Sequence, residues 1–183
     1  MPMFRSPRAR FSLLALLPVA TLMILSGCAG KIVPPCPPVR VDNATASLTK
    51  FKDGPGRETN DIEYRAEIAG YKGQCTYDKK GTEVEVTMDV DFTVTGGPAA
   101  KGGTAPIYYF VAIPQFFPQV EGKRITQVTR RLPARSGAVD KFTESSVRVV
   151  IPLKKDQPGA TFDVYLGFQV DDAQLEYNRS QRN

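Results

Sequence analysis

Over residues 83–94 the chain alternates without exception between polar and apolar side chains. Val84, Val86, Met88, Val90, Phe92 and Val94 are separated by Glu85, Thr87, Asp89, Asp91 and Thr93, with Glu83 leading. Successive side chains of a β-strand point to opposite faces, whereas a helix would scatter these six apolar groups around its circumference. The stretch fits a long strand with one buried and one wet face, and slipping its register by one residue would turn the whole apolar set into water.

Shorter alternations recur on both sides. Ile62, Tyr64, Ala66 and Ile68 are interleaved with Glu63, Arg65 and Glu67, and Phe162, Val164, Leu166, Phe168 and Val170 with Asp163, Tyr165, Gly167 and Gln169. Weaker strand patterns lie at 39–41, 47–51, 107–113, 125–131 and 147–153. A short strand at 74–78 is expected to join the long one through a hairpin at Lys79-Lys80. Asp53-Gly54-Pro55-Gly56, Gly96-Gly97-Pro98 and Gln157-Pro158-Gly159 supply further turns. Helical spacing appears only over 171–178, with Asp172 as the expected cap. About eight strands in one domain over residues 39–183 predict an all-β fold, an antiparallel immunoglobulin-like β-sandwich with a short C-terminal helix.

The start of the chain has a different character. Arg5, Arg8 and Arg10 precede an apolar run over residues 13–25, and no Asp or Glu occurs before Cys28. A basic start, a short apolar stretch and small residues at its end read as a secretory signal over residues 1–27. A membrane-spanning helix needs about 20 apolar residues; this run is shorter and has Pro18 in its middle. Leu25-Ser26-Gly27-Cys28 resembles the lipobox of bacterial lipoproteins. That resemblance implies cleavage before Cys28, a diacylglyceryl group on its thiol and an acylated new amino terminus. Ala29, rather than Asp, follows the cysteine, and by the same resemblance the expected address is the periplasmic face of the outer membrane. Two or more acyl chains give stable attachment where one binds marginally.

Removal of residues 1–27 changes the charge argument. Of 24 Lys and Arg, three leave with the signal, so 21 face 19 Asp and Glu and the net charge falls from +5 to +2. No nucleic-acid partner is expected from that balance or from export. Of three cysteines, lipidation takes Cys28. Cys36 and Cys75 remain as an even pair in an oxidising compartment, where a disulfide is the natural reading and two free thiols the alternative. Pro34, Pro35, Pro37 and Pro38 make residues 28–38 a stiff tether between lipid and domain.

The mature part is also similar to a group of small, uncharacterised lipoproteins of proteobacteria. The likeness rests on Cys36-Pro37-Pro38-Val39, Asp61-Ile62-Glu63-Tyr64, Tyr109-Phe110-Val111-Ala112-Ile113, Gly167-Phe168-Gln169 and Gln174-Leu175-Glu176-Tyr177-Asn178-Arg179. It implies no activity.

Catalytic chemistry finds little purchase. The chain has no histidine, which removes Ser-His-Asp and Cys-His catalysis and every His-containing zinc site. Asp and Glu pairs remain as acid and base of a hydrolase, but no Trp offers a sugar-stacking platform. Gly96-Gly97 and Gly102-Gly103 flank Lys101 without the spacing of a phosphate-cradling loop. Glu83, Glu85, Asp89 and Asp91 line one face of the long strand and admit three readings: a solvated face, a calcium site, or pairing with Arg124, Arg130, Arg131 or Arg148. No metal or cofactor is expected.

Residues 108–118 are apolar on both strand faces. Such a strand is either central and covered on both sides, or it exposes a patch that docks a partner. Pro114 and Pro118 place Phe116 and Phe117 at a strand end, and these two are the candidate partner-binding residues. The expected function is a non-catalytic, outer-membrane-anchored periplasmic lipoprotein, a structural or protein-interaction module of an envelope assembly. A carrier of a lipid or small apolar ligand is the alternative, and a carboxylate hydrolase the third reading.

Overall fold

The computed structural model describes residues 34–181. The export segment, Cys28, Ala29 and tether residues 29–33 lie outside the described residues. Eight strands follow in order: β1 (Val39–Val41), β2 (Ser47–Phe51), β3 (Ile62–Tyr77), β4 (Glu83–Gly96), β5 (Thr104–Ala112), β6 (Lys123–Arg131), β7 (Val139–Pro152) and β8 (Val164–Phe168), then a helix α1 (Asp172–Ser180). They form two four-stranded sheets, β1-β8-β5-β6 and β2-β3-β4-β7. Because β1, β5, β6 and β8 form one sheet and β2, β3, β4 and β7 the other, the chain changes layer after β1, β4, β6 and β7. This interleaving is that of an immunoglobulin-like sandwich. One pairing departs from the antiparallel scheme: β1 lies parallel to β8, with Val39 opposite Val164.

The alternation over β4 carries the core. Val84, Val86, Met88, Val90, Phe92 and Val94 are all buried, facing Ile107, Tyr109 and Val111 of β5 and Val164, Leu166 and Phe168 of β8. Phe92 sits at the centre, its ring 4.9 Å from Phe142, 5.3 Å from Tyr109 and 5.7 Å from Phe168. Each such side chain withdrawn from water stabilises the fold by roughly 1.5–3 kcal/mol.

Two bulges explain where the strand pattern is broken. Ile68 pairs with Phe92 but Gly70 with Asp91, so Ala69 is an extra residue and the facing parity of β3 changes there. Tyr64 and Ala66 point into the core before the bulge, and Tyr71, Gly73, Cys75 and Tyr77 share the core-side register after it. The expected strands at 62–68 and 74–78 are therefore one. On β7, Val147 pairs with Met88 and Glu144 with Val90, leaving Ser145 and Ser146 opposite Asp89. Ser146 adopts a φ of 57° and its N–H donates to the Asp89 carboxylate at 2.9 Å.

The helix covers β2. Phe51 meets Tyr177 edge-on at 5.0 Å, and the Asn178 amide donates to the carbonyls of Ala44 and Ser47. Its N-cap is Asp171, one residue earlier than the sequence suggests, closing a capping box with Gln174.

Candidate functional site

Cys36 and Cys75 form a disulfide with Cα atoms 5.7 Å apart. Around it the N-terminal strap is fastened at successive points. The Tyr77 hydroxyl donates to the Pro35 carbonyl at 2.6 Å and accepts from the Gly159 N–H at 3.1 Å. The Val164 N–H donates to the Pro38 carbonyl at 2.9 Å, and the Tyr71 hydroxyl to the Val39 carbonyl at 2.5 Å. Residues 34–38 thus lie bound along the domain, and β1, paired to one sheet, is tied to the other through β3. The strap runs in at the end of the sandwich built by the β3–β4 hairpin, the β5–β6 loop and the β7–β8 loop.

The hairpin is organised by Asp78, whose carboxylate accepts from the N–H groups of Lys80, Thr82 and Glu83, while Gly81 takes a φ of 68°. Lys79 and Lys80 are left exposed at its tip.

The β5–β6 loop separates the two candidate phenylalanines. Phe116 packs against the core, its ring 5.1 Å from Phe162. Phe117 is 76 % exposed and Val120, two residues past Pro118, 88 % exposed. The loop is braced by its own backbone: Ile113 N–H to Gly122 O at 2.9 Å, Gln119 N–H to Phe116 O at 2.7 Å, and Gly122 N–H to Gln119 O at 2.9 Å. A side chain at Gly122 would crowd the Phe116–Phe117 backbone. Two large apolar groups are accordingly held out in water by a built turn. Beside them Phe116, Leu153, Lys154 and Phe162 border an open groove of about 490 Å³.

The apolar stretch of β5 is covered on its core face and only in part on its outer face, where Phe110 is buried but Tyr108 is 39 % exposed. Tyr109 and Val111 face the core. Phe110, on the outer face, lies beneath the Lys123 ammonium, 4.3 Å from its ring centre. Gly167 beside it leaves room for that ring and for Thr45 of the turn before β2.

The carboxylates of β4 are distributed among partners. Glu85 pairs with Arg148, Asp91 accepts from the Thr143 hydroxyl at 2.6 Å and Asp89 from Ser146. Charge pairing across strands therefore holds for Arg148, whereas Arg130 stands 3.9 Å from Asp140 and Arg124 donates to the Arg148 carbonyl. No ion pair involves Glu83 or Arg131 among the described residues. Nor is a group of three or more Asp, Glu or Cys side chains there placed to hold a metal ion.

Along the sandwich side where β6 and β7 are the sheet edges, charges point inward. Arg124 pairs in register with Val111, Asp140 with Val94 and Glu144 with Val90, all of which are core residues on the same face. The Arg130 guanidinium lies 4.0 Å from the centre of the Phe142 ring.

The opposite end of the sandwich holds two largely buried carboxylates that periodicity did not single out. Glu63 meets Lys101 at 2.5 Å, and this hydrogen bond raises the lysine pKa. Asp61 meets Lys52 at 2.6 Å and accepts from the Glu58 N–H at 3.1 Å; these bonds hold its carboxyl below the usual range. The Gly96-Gly97 turn packs tightly beneath this network, since a side chain at Gly97 would overlap the Ile62 carbonyl. Lys101 is thus spent on Glu63 in a packed loop.

Sequence reasoning missed Val120, which carries no pattern of its own, and Tyr71 and Tyr77, whose spacing around Cys75 is a strand signal rather than a sign of the strap. Among the described residues no helix is long and apolar enough to cross a membrane. Compared with protein-family models, curated proteins and solved structures, the chain matches none.

Proposed function

We propose that this chain is a non-catalytic lipoprotein, anchored through Cys28 to the periplasmic face of the outer membrane and presenting one end of a rigid sandwich to another envelope component. The strap carries the reading. Its disulfide fits an oxidising compartment, and its fastening means that a lipid on Cys28 fixes which end of the domain faces the bilayer. A lipid also confines the domain to one surface, raising its effective concentration for anything else held there. The contact surface narrows from the Phe116-Phe117 pair to Phe117 with Val120, because Phe116 is occupied in packing.

Intact-mass analysis of the protein from a lipoprotein-processing host tests the anchor. The expected mass starts at Cys28 and carries acyl groups, and the protein fractionates with outer membranes. A chain with an unmodified Cys28, released by a salt wash, refutes it.

The groove beside Phe116 keeps the apolar-ligand carrier as a second reading. Native mass spectrometry that finds a stoichiometric bound mass would favour it, and loss of that mass in Phe162→Ser would locate it.

A further inference from the structure

We infer that the envelope component met by the strapped end is the lipid surface itself, with Phe117 and Val120 entering the headgroup layer; this rests on the Cys28 anchor proposed above. Pro34 follows Cys28 by six residue steps. Fully extended, they reach about 20 Å. From Pro35 onward the chain has no slack, held by Tyr77, the disulfide and the Val164 N–H. An acylated Cys28 therefore keeps this end within about two nanometres of the membrane, whereas no attachment holds the other end there.

The same end is the one that exposes large apolar side chains on a rigid turn. Phe117 and Val120 are the two most exposed large hydrophobics of the described residues. A loop that hydrogen-bonds its own backbone while leaving a phenylalanine bare is shaped for an apolar contact outside the domain. A membrane interface supplies one, and aromatic rings suit its boundary.

Charge does not choose the occupant. Lys79, Lys80, Lys123, Lys154, Lys155 and Arg40 lie at this end with Asp78, Glu83, Glu121, Asp156 and Asp163, six against five. Asp78 is engaged by its own turn and Asp163 is bridged by Arg40 at 3.2 Å. A nearly neutral rim makes the docking apolar and tether-driven, so it persists at high salt where polybasic attachment would fade.

The chain contains no tryptophan, so a single introduced indole reports one place only. Phe117→Trp and, at the opposite end, Val139→Trp are each prepared as the full chain, processed and lipidated by the host. The purified proteins are reconstituted into phosphatidylethanolamine–phosphatidylglycerol vesicles. The expected result is a blue-shifted emission for F117W, quenched several-fold more by lipids brominated on their acyl chains than V139W, and unchanged by 0.5 M salt, roughly a 4 Å screening length. Equal quenching at the two positions, in protein that carries its acyl groups and stays on the vesicles, overturns the docking and leaves the anchor standing. Protection of F117W only after adding solubilised outer-membrane proteins overturns it in favour of a protein partner. Protein without acyl mass that fails to float with the vesicles overturns the anchor, and the docking with it.

Discussion

Replacing Cys36 and Cys75 together by Ser removes the cross-link that fastens the strap, and the structure sets the size of the effect. The bridged residues are 39 apart in sequence. In the chain-entropy account, opening a loop of that length costs about 4 kcal/mol of stability. For a domain of this size each kcal/mol moves the melting temperature by roughly 2–4 °C, so a drop of about 8–16 °C is expected. The hydrogen bonds from Tyr71 and Tyr77 and the pairing of β1 with β8 remain in the variant, so it should fold and unfold as one unit at the lower temperature. Far-ultraviolet circular dichroism on heating, with hydrogen exchange over residues 34–41, measures both quantities. A melting temperature within about 2 °C of the parent, with free exchange confined to 34–41, would refute the reasoning. It would show that the strap lies outside the cooperative core and that its disulfide constrains only a frayed end.

The two phenylalanines should separate cleanly. Phe116→Ala loses the contact with Phe162 and about 2 kcal/mol, since the ring is only half-buried, whereas Phe117→Ala stays within about 0.5 kcal/mol in urea denaturation. Gly97→Ala drives a methyl into the Ile62 carbonyl and should cost about 1–3 kcal/mol on the same assay. Asp61 is held below its ordinary carboxylate pKa, about 3.9, by Lys52 first and the Glu58 N–H second. Its stabilisation is therefore present above that value and fades as pH falls through the lowered one. Asp61→Asn should accordingly lower stability at pH 7 and flatten the acid limb of a stability–pH profile; an unchanged acid limb would remove Asp61 from it.

What the sequence makes legible follows from which interactions are local. Strand β4 is readable from period two alone, since its apolar side chains all meet the same core. The Asp78 turn is readable for the same reason, as its hydrogen bonds close within five residues. Residues 69–73 of β3 are illegible because Ala69 reverses the parity. The first half of β7 is hidden because Asp140 and Glu144 occupy core-side positions at an edge, where water reaches them, so the apolar rhythm reduces to Phe142. The parallel pairing of β1 and the packing of Phe116 on Phe162 join residues far apart in sequence, and no spacing announces them. The disulfide is an exception among distant contacts: counting cysteines is enough, without knowing the fold.

Arg124, Arg130, Asp140 and Glu144 along the β6–β7 margin have a consequence for crowding. A second copy offering its own bare strand to β7 would have to dehydrate this row of charges before gaining a single ladder bond, and desolvated charges cost several kcal/mol each. Molecules gathered at high density can therefore jostle side by side without knitting into a continuous sheet.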